Sequence, residues 1–240
     1  MIHKRNYLYE GLDIDISRKK NIISFVGAGG KTTLMYNLAE ELKSIGRKVI
    51  ITTTTNMFIC KKYFLFSNDI VVIKQMLDER GIAVVGTPIG SNKFTGLSSL
   101  EYDKLIKICD FLLIESDGSR RLPLKAPDRH EPVIIDETNL LVGVAGIDAV
   151  GRTIKDICHR REIVSGILNA DESHIITEQD IADLLSSDRG QMKGLGYLKG
   201  NVKYVAAINK CDNDQLLEKS ISAGRILDEK GIHNVITSFK

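Results

Sequence analysis

The sequence predicts an α/β fold in which a mostly parallel, twisted sheet carries helices on both faces. Short apolar runs rich in β-branched residues recur along the chain, and segments with helical spacing of apolar residues separate them. Such alternation is typical of parallel sheets with right-handed crossovers. Because the carboxyl ends of parallel strands meet at one edge of a sheet, we expect a ligand site at that edge.

The composition is typical of a globular domain, which we predict to span residues 1–240 with a helical insertion at about 148–200. Hydrophobic residues make up 43% of the chain and charged residues 27%, so the apolar content suffices for a sizeable core. There are 33 basic and 31 acidic residues, and the formal net charge is +2. This balance gives no electrostatic reason to expect nucleic acid or an acidic membrane surface as a partner.

The cysteines and the apolar runs bear on the compartment. The four cysteines are scattered without a C-x-x-C pair, so we interpret them as reduced thiols and not as a disulfide framework or a zinc site. The start of the chain lacks the apolar run of a signal peptide, and no run of about 18 apolar residues exists that would span a membrane. The sequence therefore predicts a cytoplasmic protein.

The individual elements follow from apolar periodicity and from the positions of glycine and proline. We expect residues 1–20, which are polar and mixed, to pack loosely ahead of the first strand. The predicted strands are 22–26, 47–55, 82–86, 110–115, 140–146, 202–208 and 234–239. The predicted helices are 31–45, 70–80, 98–109, 160–168, 178–185 and 214–230, with turns or irregular structure at 57–68, 87–96, 119–132 and 190–200.

The most informative stretch is NIISFVGAGGKTT, residues 21–33, in which an apolar strand leads through a glycine-rich turn into a helix. Glycines let consecutive backbone N–H groups converge on one anion, and the helix N-terminus adds partial positive charge. Lys31 would then reach the β- and γ-phosphates of a nucleotide, and the Thr32 hydroxyl would ligate Mg²⁺. The predicted phosphate-binding residues are Gly27, Ala28, Gly29, Gly30, Lys31, Thr32 and Thr33.

One residue departs from the phosphate-loop pattern G-x-x-x-x-G-K-[ST]. Phe25 stands where the pattern has its first glycine. We therefore predict a shortened loop in which Gly27 makes the turn. The alternative is a tight strand–helix turn with an incidental lysine.

The second informative stretch is DFLLIESDG, residues 110–118. Glu115 stands at the expected carboxyl end of a central strand, where an acid holds Mg²⁺ directly or through water. Gly118, three residues later, would let its backbone N–H approach and sense a γ-phosphate. An acid at the end of a strand is also common as a structural residue, so a purely structural role is the alternative for Glu115.

A long basic loop follows at residues 119–132. We interpret it as a ligand-facing loop, with a solvated surface loop or a partner-docking site as alternatives. Arg120 or Arg121 would serve as an arginine finger. Thr54, at the end of the second strand, would join a possible second ligand site with Lys125, Arg129 and His130, although threonines there are also simply good strand formers.

The third informative stretch is Asn209-Lys210-Cys211-Asp212, at the end of the last long strand. In an N-K-x-D element, the aspartate accepts hydrogen bonds from guanine N1–H and the exocyclic amine, and the lysine stem packs on the purine. The asparagine holds the base or the phosphate loop. The alternative is a polar turn in which Asp212 caps the next helix.

Together these motifs resemble two known groups of proteins. The order GAGGKTT, IESDG and NKCD is similar to the metallochaperone-type P-loop GTPases, which include the urease and hydrogenase nickel-insertion GTPases. GAGGKTT, TTTT, ESDGSRRLPLKAPDRHEPVI, GIDAVGR and NKCD together resemble, over nearly the whole chain, the YqeC family. That family is described as accessory proteins for selenium-dependent molybdenum hydroxylases. The resemblance implies a P-loop NTPase-like fold and a role in maturing the selenium-containing molybdenum cofactor.

Three functional hypotheses follow. The first is slow, Mg²⁺-dependent hydrolysis of a nucleoside triphosphate, with GTP favoured over ATP, by Lys31, Glu115 and an arginine from the basic loop. The second is a carrier of nucleotide or molybdopterin-type cofactor without useful hydrolysis. The third is an ATP-dependent small-molecule kinase. The resemblance adds a molybdenum hydroxylase or its cofactor as the expected partner.

Overall fold

The computed structural model describes residues 7–60 and 62–240. Its strands are β1 (Asn21–Gly27), β2 (Val49–Thr53), β3 (Asn56–Phe58), β4 (Ile82–Val84), β5 (Thr87–Ile89), β6 (Lys93–Thr95), β7 (Phe111–Glu115), β8 (Leu124–Lys125), β9 (Leu140–Gly146), β10 (Cys158–His159), β11 (Lys203–Asn209) and β12 (Asn234–Ile236). Its α-helices are α1 (Leu8–Gly11), α2 (Lys31–Ser44), α3 (Ile70–Arg80), α4 (Ser99–Ile108), α5 (Ile154–Ile157), α6 (Arg161–Leu168), α7 (Glu178–Ser186) and α8 (Asp214–Glu229).

A seven-stranded sheet forms the framework, in the order β12-β11-β9-β1-β7-β2-β4. Every neighbouring pair in it is parallel. β1, β7 and β9 are buried along their whole length, as the near-continuous apolar runs of a parallel sheet require. The predicted α/β fold with a mostly parallel sheet is confirmed, and β1 lies at the centre of that sheet.

Helices cover both faces of this sheet. Residues alternate along each strand, so Ile23 and Phe25 of β1 face the core that contains α2, whereas Ile22 faces the opposite side. On that opposite side, α3 and α4 cover one half of the sheet, and α7 and α8 cover the half near β9 and β11. The sheet is therefore enclosed, and its carboxyl edge is left for ligands.

Several local expectations are wrong. Residues 87–96, expected to be turns, form the strands β5 and β6, which pair with β3 in a small antiparallel sheet. Helical spacing over residues 98–109 places Leu100 on the inward side with Leu105, but Leu100 is 72% exposed on α4. The 190–200 segment is not a simple surface turn, because it contains a 3-10 helix and buries Gln191.

The segment ahead of β1 is also more ordered than predicted. Residues 1–6 of the predicted loose segment lie outside the described residues. After them, the N–H groups of Leu8 and Tyr9 donate to the Glu41 carboxylate, both at 2.8 Å, and Leu12 and Ile14 are buried in the core. Contacts distant in sequence therefore fix a stretch whose own composition is polar.

Between β9 and β11 the chain forms α5, α6, α7 and the short strand β10, which pairs with β8 of the basic loop. This pairing attaches the 148–200 region to the loop that follows β7. In residues 7–60 and 62–240, no helix is long and apolar enough to cross a membrane.

Candidate functional site

The glycine-rich loop lies at the carboxyl edge of the sheet, between the end of β1 and the start of α2. Phe25 is buried within β1 and pairs with Glu115 on β7 and with Val142 on β9. Gly27, the last residue of β1, has a φ of +95°. The shortened loop predicted from Phe25 is therefore present, with Gly27 making the turn.

Three of the loop glycines are required by close packing. A Cβ atom would lie 2.3 Å from the Val144 carbonyl oxygen at Gly27 and 2.2 Å from the Gly146 nitrogen at Gly29. At Gly30, whose φ is +111°, it would lie 2.5 Å from the Asn209 side-chain nitrogen. The loop is thus held directly against the ends of β9 and β11.

The backbone N–H groups of the loop divide into two sets. Three of them donate to protein acceptors: Gly27 to the Asp117 carboxylate at 3.0 Å, Ala28 to the Val144 carbonyl at 2.9 Å and Gly29 to the Leu122 carbonyl at 3.2 Å. The N–H groups of the first helical turn, at residues 31–33, have no intrahelical partner and point out of the helix N-terminus. The N–H donors that an anion could use at this loop are therefore those at the start of α2.

Lys31 is buried and turns back toward its own loop. Its ammonium donates to the Gly27 carbonyl and lies 3.0 Å from an oxygen of Asp117. Burial lowers the pKa of Lys31, but the carboxylates of Asp117 and Glu115 outweigh that effect and the pKa is raised. Lys31 is therefore a charged ammonium beside the loop.

Asp117 was missed from the sequence, although its signal was present. Asp117 is a second acid two residues after Glu115, just beyond the end of β7, whereas the sequence pattern assigns a role to the strand-end acid alone. The Asp117 side chain is fully buried and contacts Gly27, Lys31 and Lys125. It is the central acid of the site.

Thr32 and Glu115 meet as the sequence predicts. The Thr32 hydroxyl donates to the Glu115 carboxylate at 2.7 Å, which joins the first turn of α2 to the end of β7. Burial raises the pKa of Glu115, and the nearby Lys31 opposes the rise. A hydroxyl and a carboxylate oxygen side by side form the hard-oxygen donor set that Mg²⁺ prefers, so these two residues fit that ion.

A chain of charged groups extends from the buried side of the loop toward the surface. The Lys125 ammonium lies 2.9 Å from Asp117, 2.6 Å from Glu131 and 2.8 Å from the Gly118 carbonyl oxygen. Glu131 in turn pairs with Arg160. Burial raises the pKa of Glu131, but hydrogen bonds from Arg160 and Lys125 outweigh it and lower the pKa to about 2. Lys125 is thus a buried structural cation and not part of a solvated loop.

The other residues of the predicted second ligand site do not join Lys125. The Thr54 hydroxyl donates to the Val133 carbonyl at 2.6 Å. Arg129 and His130 are exposed, and the Arg129 Nε donates to the His130 Nε2 at 2.7 Å. The structure thus does not bring Thr54, Lys125, Arg129 and His130 together in one cluster.

The two arginines that follow Gly118 are exposed, and both have left-handed backbone, with φ of 51° at Arg120 and 63° at Arg121. The Arg121 guanidinium lies 4.2 Å from the ring centroid of Phe58 on β3. At Gly118 itself, an added Cβ would meet nothing within 4 Å. Sterics therefore do not require glycine there, and its predicted phosphate-sensing role stays a prediction.

The N-K-C-D element lies beside the glycine-rich loop. The Asn209 side-chain nitrogen donates to the Gly29 carbonyl at 2.9 Å, and its oxygen accepts from Thr237 at 2.9 Å. Asn209 thus holds the glycine-rich loop, as one of its two predicted roles requires. Lys210 has a φ of 64° and pairs with Asp148 at 2.9 Å, which links the element to the start of the insertion.

Asp212 does not cap the following helix, because Asn213 does so with a bond to the Leu216 N–H. The Asp212 carboxylate accepts from the Ser238 hydroxyl at 2.8 Å and pairs with Lys240 at 3.1 Å. The bond from Ser238, with Lys240, lowers the pKa of Asp212. An ionised carboxylate that accepts hydrogen bonds is what guanine recognition requires.

Comparison with known proteins agrees with the resemblance seen in the sequence. The family model described as "YqeC protein" matches residues 23–162. The chain is 30% identical over 209 residues to "Uncharacterized protein YqeC" of Escherichia coli (strain K12), covering 84% of this chain and 82% of that protein. Among solved structures, hydrogenase maturation factor HypB from Archaeoglobus fulgidus aligns with 96% of this chain and 86% of its own, at 14% identity and a TM-score of 0.42. A likeness that low supports no inference from HypB to this chain, whereas the family match covers more than half of it: the chain belongs to the YqeC family.

Proposed function

We propose that this protein binds a nucleoside triphosphate with Mg²⁺, GTP in preference to ATP, and hydrolyses it slowly. The observation that carries the proposal is the Thr32–Glu115 contact at the N-terminus of α2, beside the charged Lys31. In that arrangement the α2 amides bind phosphate oxygens, and Lys31 supplies positive charge. Thr32 and Glu115 would hold Mg²⁺, which would neutralise part of the negative charge of the phosphates.

The guanine preference rests on the N-K-C-D element. Asn209 fixes the phosphate loop. Three residues later, Asp212 is kept ionised by its contacts with Ser238 and Lys240. Slow turnover is expected because no glutamine is placed to orient a water at the described site. Gln191 approaches Gly27, but its side-chain nitrogen is bound to the Lys125 carbonyl at 2.8 Å. Arg120 and Arg121, both exposed near the loop, are the arginines available to stabilise transition-state charge.

Nucleotide binding is tested by calorimetric titration with GTP, ATP and their diphosphates, with Mg²⁺ and with a chelator. We expect Lys31→Ala to abolish tight binding. Lys43→Ala is the matched control, because Lys43 lies in the last turn of the same helix, far from the loop. Equal affinity of wild type and Lys31→Ala would refute the assignment.

Base preference is tested by the Asp212→Asn variant. We expect the ratio of GTP to ATP affinity to fall toward one, since an amide cannot accept both guanine donors. The control is Asp214→Asn, at the exposed first position of α8. If Asp212→Asn keeps the guanine preference, the N-K-x-D interpretation is wrong; a preference for ATP in the wild type would favour the kinase hypothesis.

The cellular role follows from the family and is likewise a proposal: an accessory protein in maturation of selenium-dependent molybdenum hydroxylases. Phosphate release measured with and without a partner hydroxylase separates an NTPase from a non-hydrolysing carrier of nucleotide or cofactor. Turnover that stays absent in both conditions would favour the carrier. We also propose that residues 1–240 form one domain and that the protein acts in the cytoplasm.

A further inference from the structure

We propose that Asp117 sets the preference of this site between nucleoside diphosphate and triphosphate, because its carboxylate occupies the place of a terminal phosphate. The inference rests on the nucleotide site proposed above. It concerns Asp117, an acid to which the three sequence motifs assign no role.

The donors around Asp117 are those that a phosphoryl group would use. Its carboxylate accepts from the Gly27 N–H at 3.0 and 3.1 Å and lies 3.0 Å from the Lys31 ammonium and 2.9 Å from that of Lys125. A glycine-loop N–H and the lysine that begins the helix are the groups that phosphate loops present to phosphate oxygens. Asp117 therefore competes with a bound anion for the same donors.

A second protein acceptor lies on the loop next to Asp117. The Leu122 carbonyl oxygen accepts from the Gly29 N–H at 3.2 Å. Asp117 and Leu122 belong to one segment, whose end is fixed where Lys125 binds both Asp117 and the Gly118 carbonyl. This segment thus supplies acceptors to two of the three N–H groups that the glycine turn contributes ahead of Gly30.

The competition affects the terminal phosphate most. Phosphates bound by the amides of the first turn of α2 use donors that Asp117 leaves free. A further phosphate beside Lys31 meets the buried carboxylate, and two anions at a shared buried site oppose each other. Binding a triphosphate must therefore break the ion pair between Lys31 and Asp117, and the Asp117 carboxylate then remains paired with Lys125 alone.

The test is the ratio of triphosphate to diphosphate affinity. Wild type and Asp117→Asn are titrated by calorimetry with GDP and with the non-hydrolysable analogue guanosine 5′-(β,γ-imido)triphosphate, both in Mg²⁺. Asparagine keeps the shape and an oxygen acceptor but removes the charge, so we expect the ratio to rise about tenfold or more. Should the single variant fail to fold, Asp117→Asn/Lys125→Met keeps the balance of buried charge and is expected to show the same rise.

Glu131→Gln is the matched control. It removes one negative charge from the other side of Lys125 without contacting Lys31 or Gly27, so we expect a change in the ratio below about twofold. An equal rise in this control would overturn the inference by showing a general charge effect. A ratio unchanged in Asp117→Asn, with nucleotide bound by the wild type, overturns the inference alone. Absence of binding in both proteins overturns the proposed function as well.

Discussion

Replacing Lys125 by methionine should destabilise the fold strongly, because the ammonium is fully buried between two acids. Its side chain is 0% exposed, and it lies 2.9 Å from Asp117 and 2.6 Å from Glu131. Removing one partner of a buried ion pair costs about 3–5 kcal/mol of the free energy of unfolding. Asp117 keeps Lys31 and Glu131 keeps Arg160, so we expect the lower end, about 3 kcal/mol. For a chain of this length, that loss lowers the Tm by about 6–12 °C.

Urea unfolding followed by circular dichroism measures the difference, with thermal unfolding as a second measurement. The matched control is Lys48→Met, which breaks the ion pair with Asp78, in which the side chains are 42% and 50% exposed. Exposed pairs of this kind contribute about 0–1 kcal/mol. A loss below about 1 kcal/mol in Lys125→Met, equal to that of the control, would refute the importance of the buried charge chain.

Three further predictions follow from the site. Gly30→Ala should lose about 1–3 kcal/mol of the free energy of unfolding, because the φ of Gly30 is +111° and an added Cβ would lie 2.5 Å from the Asn209 side chain. The control Gly118→Ala should stay within about 0.5 kcal/mol of wild type, because an added Cβ there meets nothing within 4 Å. Urea unfolding compares the two variants, and equal losses would contradict the packing argument. Asn209→Asp removes the donor to the Gly29 carbonyl and should cost about 1–3 kcal/mol by the same measurement, with no loss as the contrary result. Since the pKa of Glu131 falls from 4.5 to about 2 on folding, its stabilisation is present above pH 4.5 and is lost as the pH falls toward 2. The stability difference between wild type and Glu131→Gln should therefore shrink across that window, and a constant difference would show that the carboxylate is not stabilised.

The features predicted best are those that depend on strand ends. Glu115 and Asn209 each stand where an apolar run stops, whereas Lys31 and Thr32 begin the helix that follows such a run. A parallel sheet brings these positions to one edge. The Thr32–Glu115 and Asn209–Gly29 contacts could be anticipated for that reason.

The features missed depend on contacts between distant segments. Lys125 stands in a loop rich in basic residues and proline, which predicts an exposed side chain. In the structure β8 pairs with β10, with Lys125 opposite His159, and the lysine is buried. The hairpin of β5 and β6 contains glycine, proline and asparagine, which predict a turn and not strands, although Phe94 within it is fully buried. Neither periodicity nor turn chemistry reports which remote segment will cover a residue.

The central place of β1 determines when the glycine-rich loop can take shape during synthesis. Its two neighbours come much later in the chain, since Asn21 pairs with Phe111 on β7 and Ile23 pairs with Leu140 on β9. The side chain that holds the loop, Asn209, follows later still. Non-local pairings of this kind form slowly and only after the intervening chain has emerged from the ribosome. A growing chain should therefore acquire the proposed nucleotide binding late, once the strand that carries Asn209 has been translated.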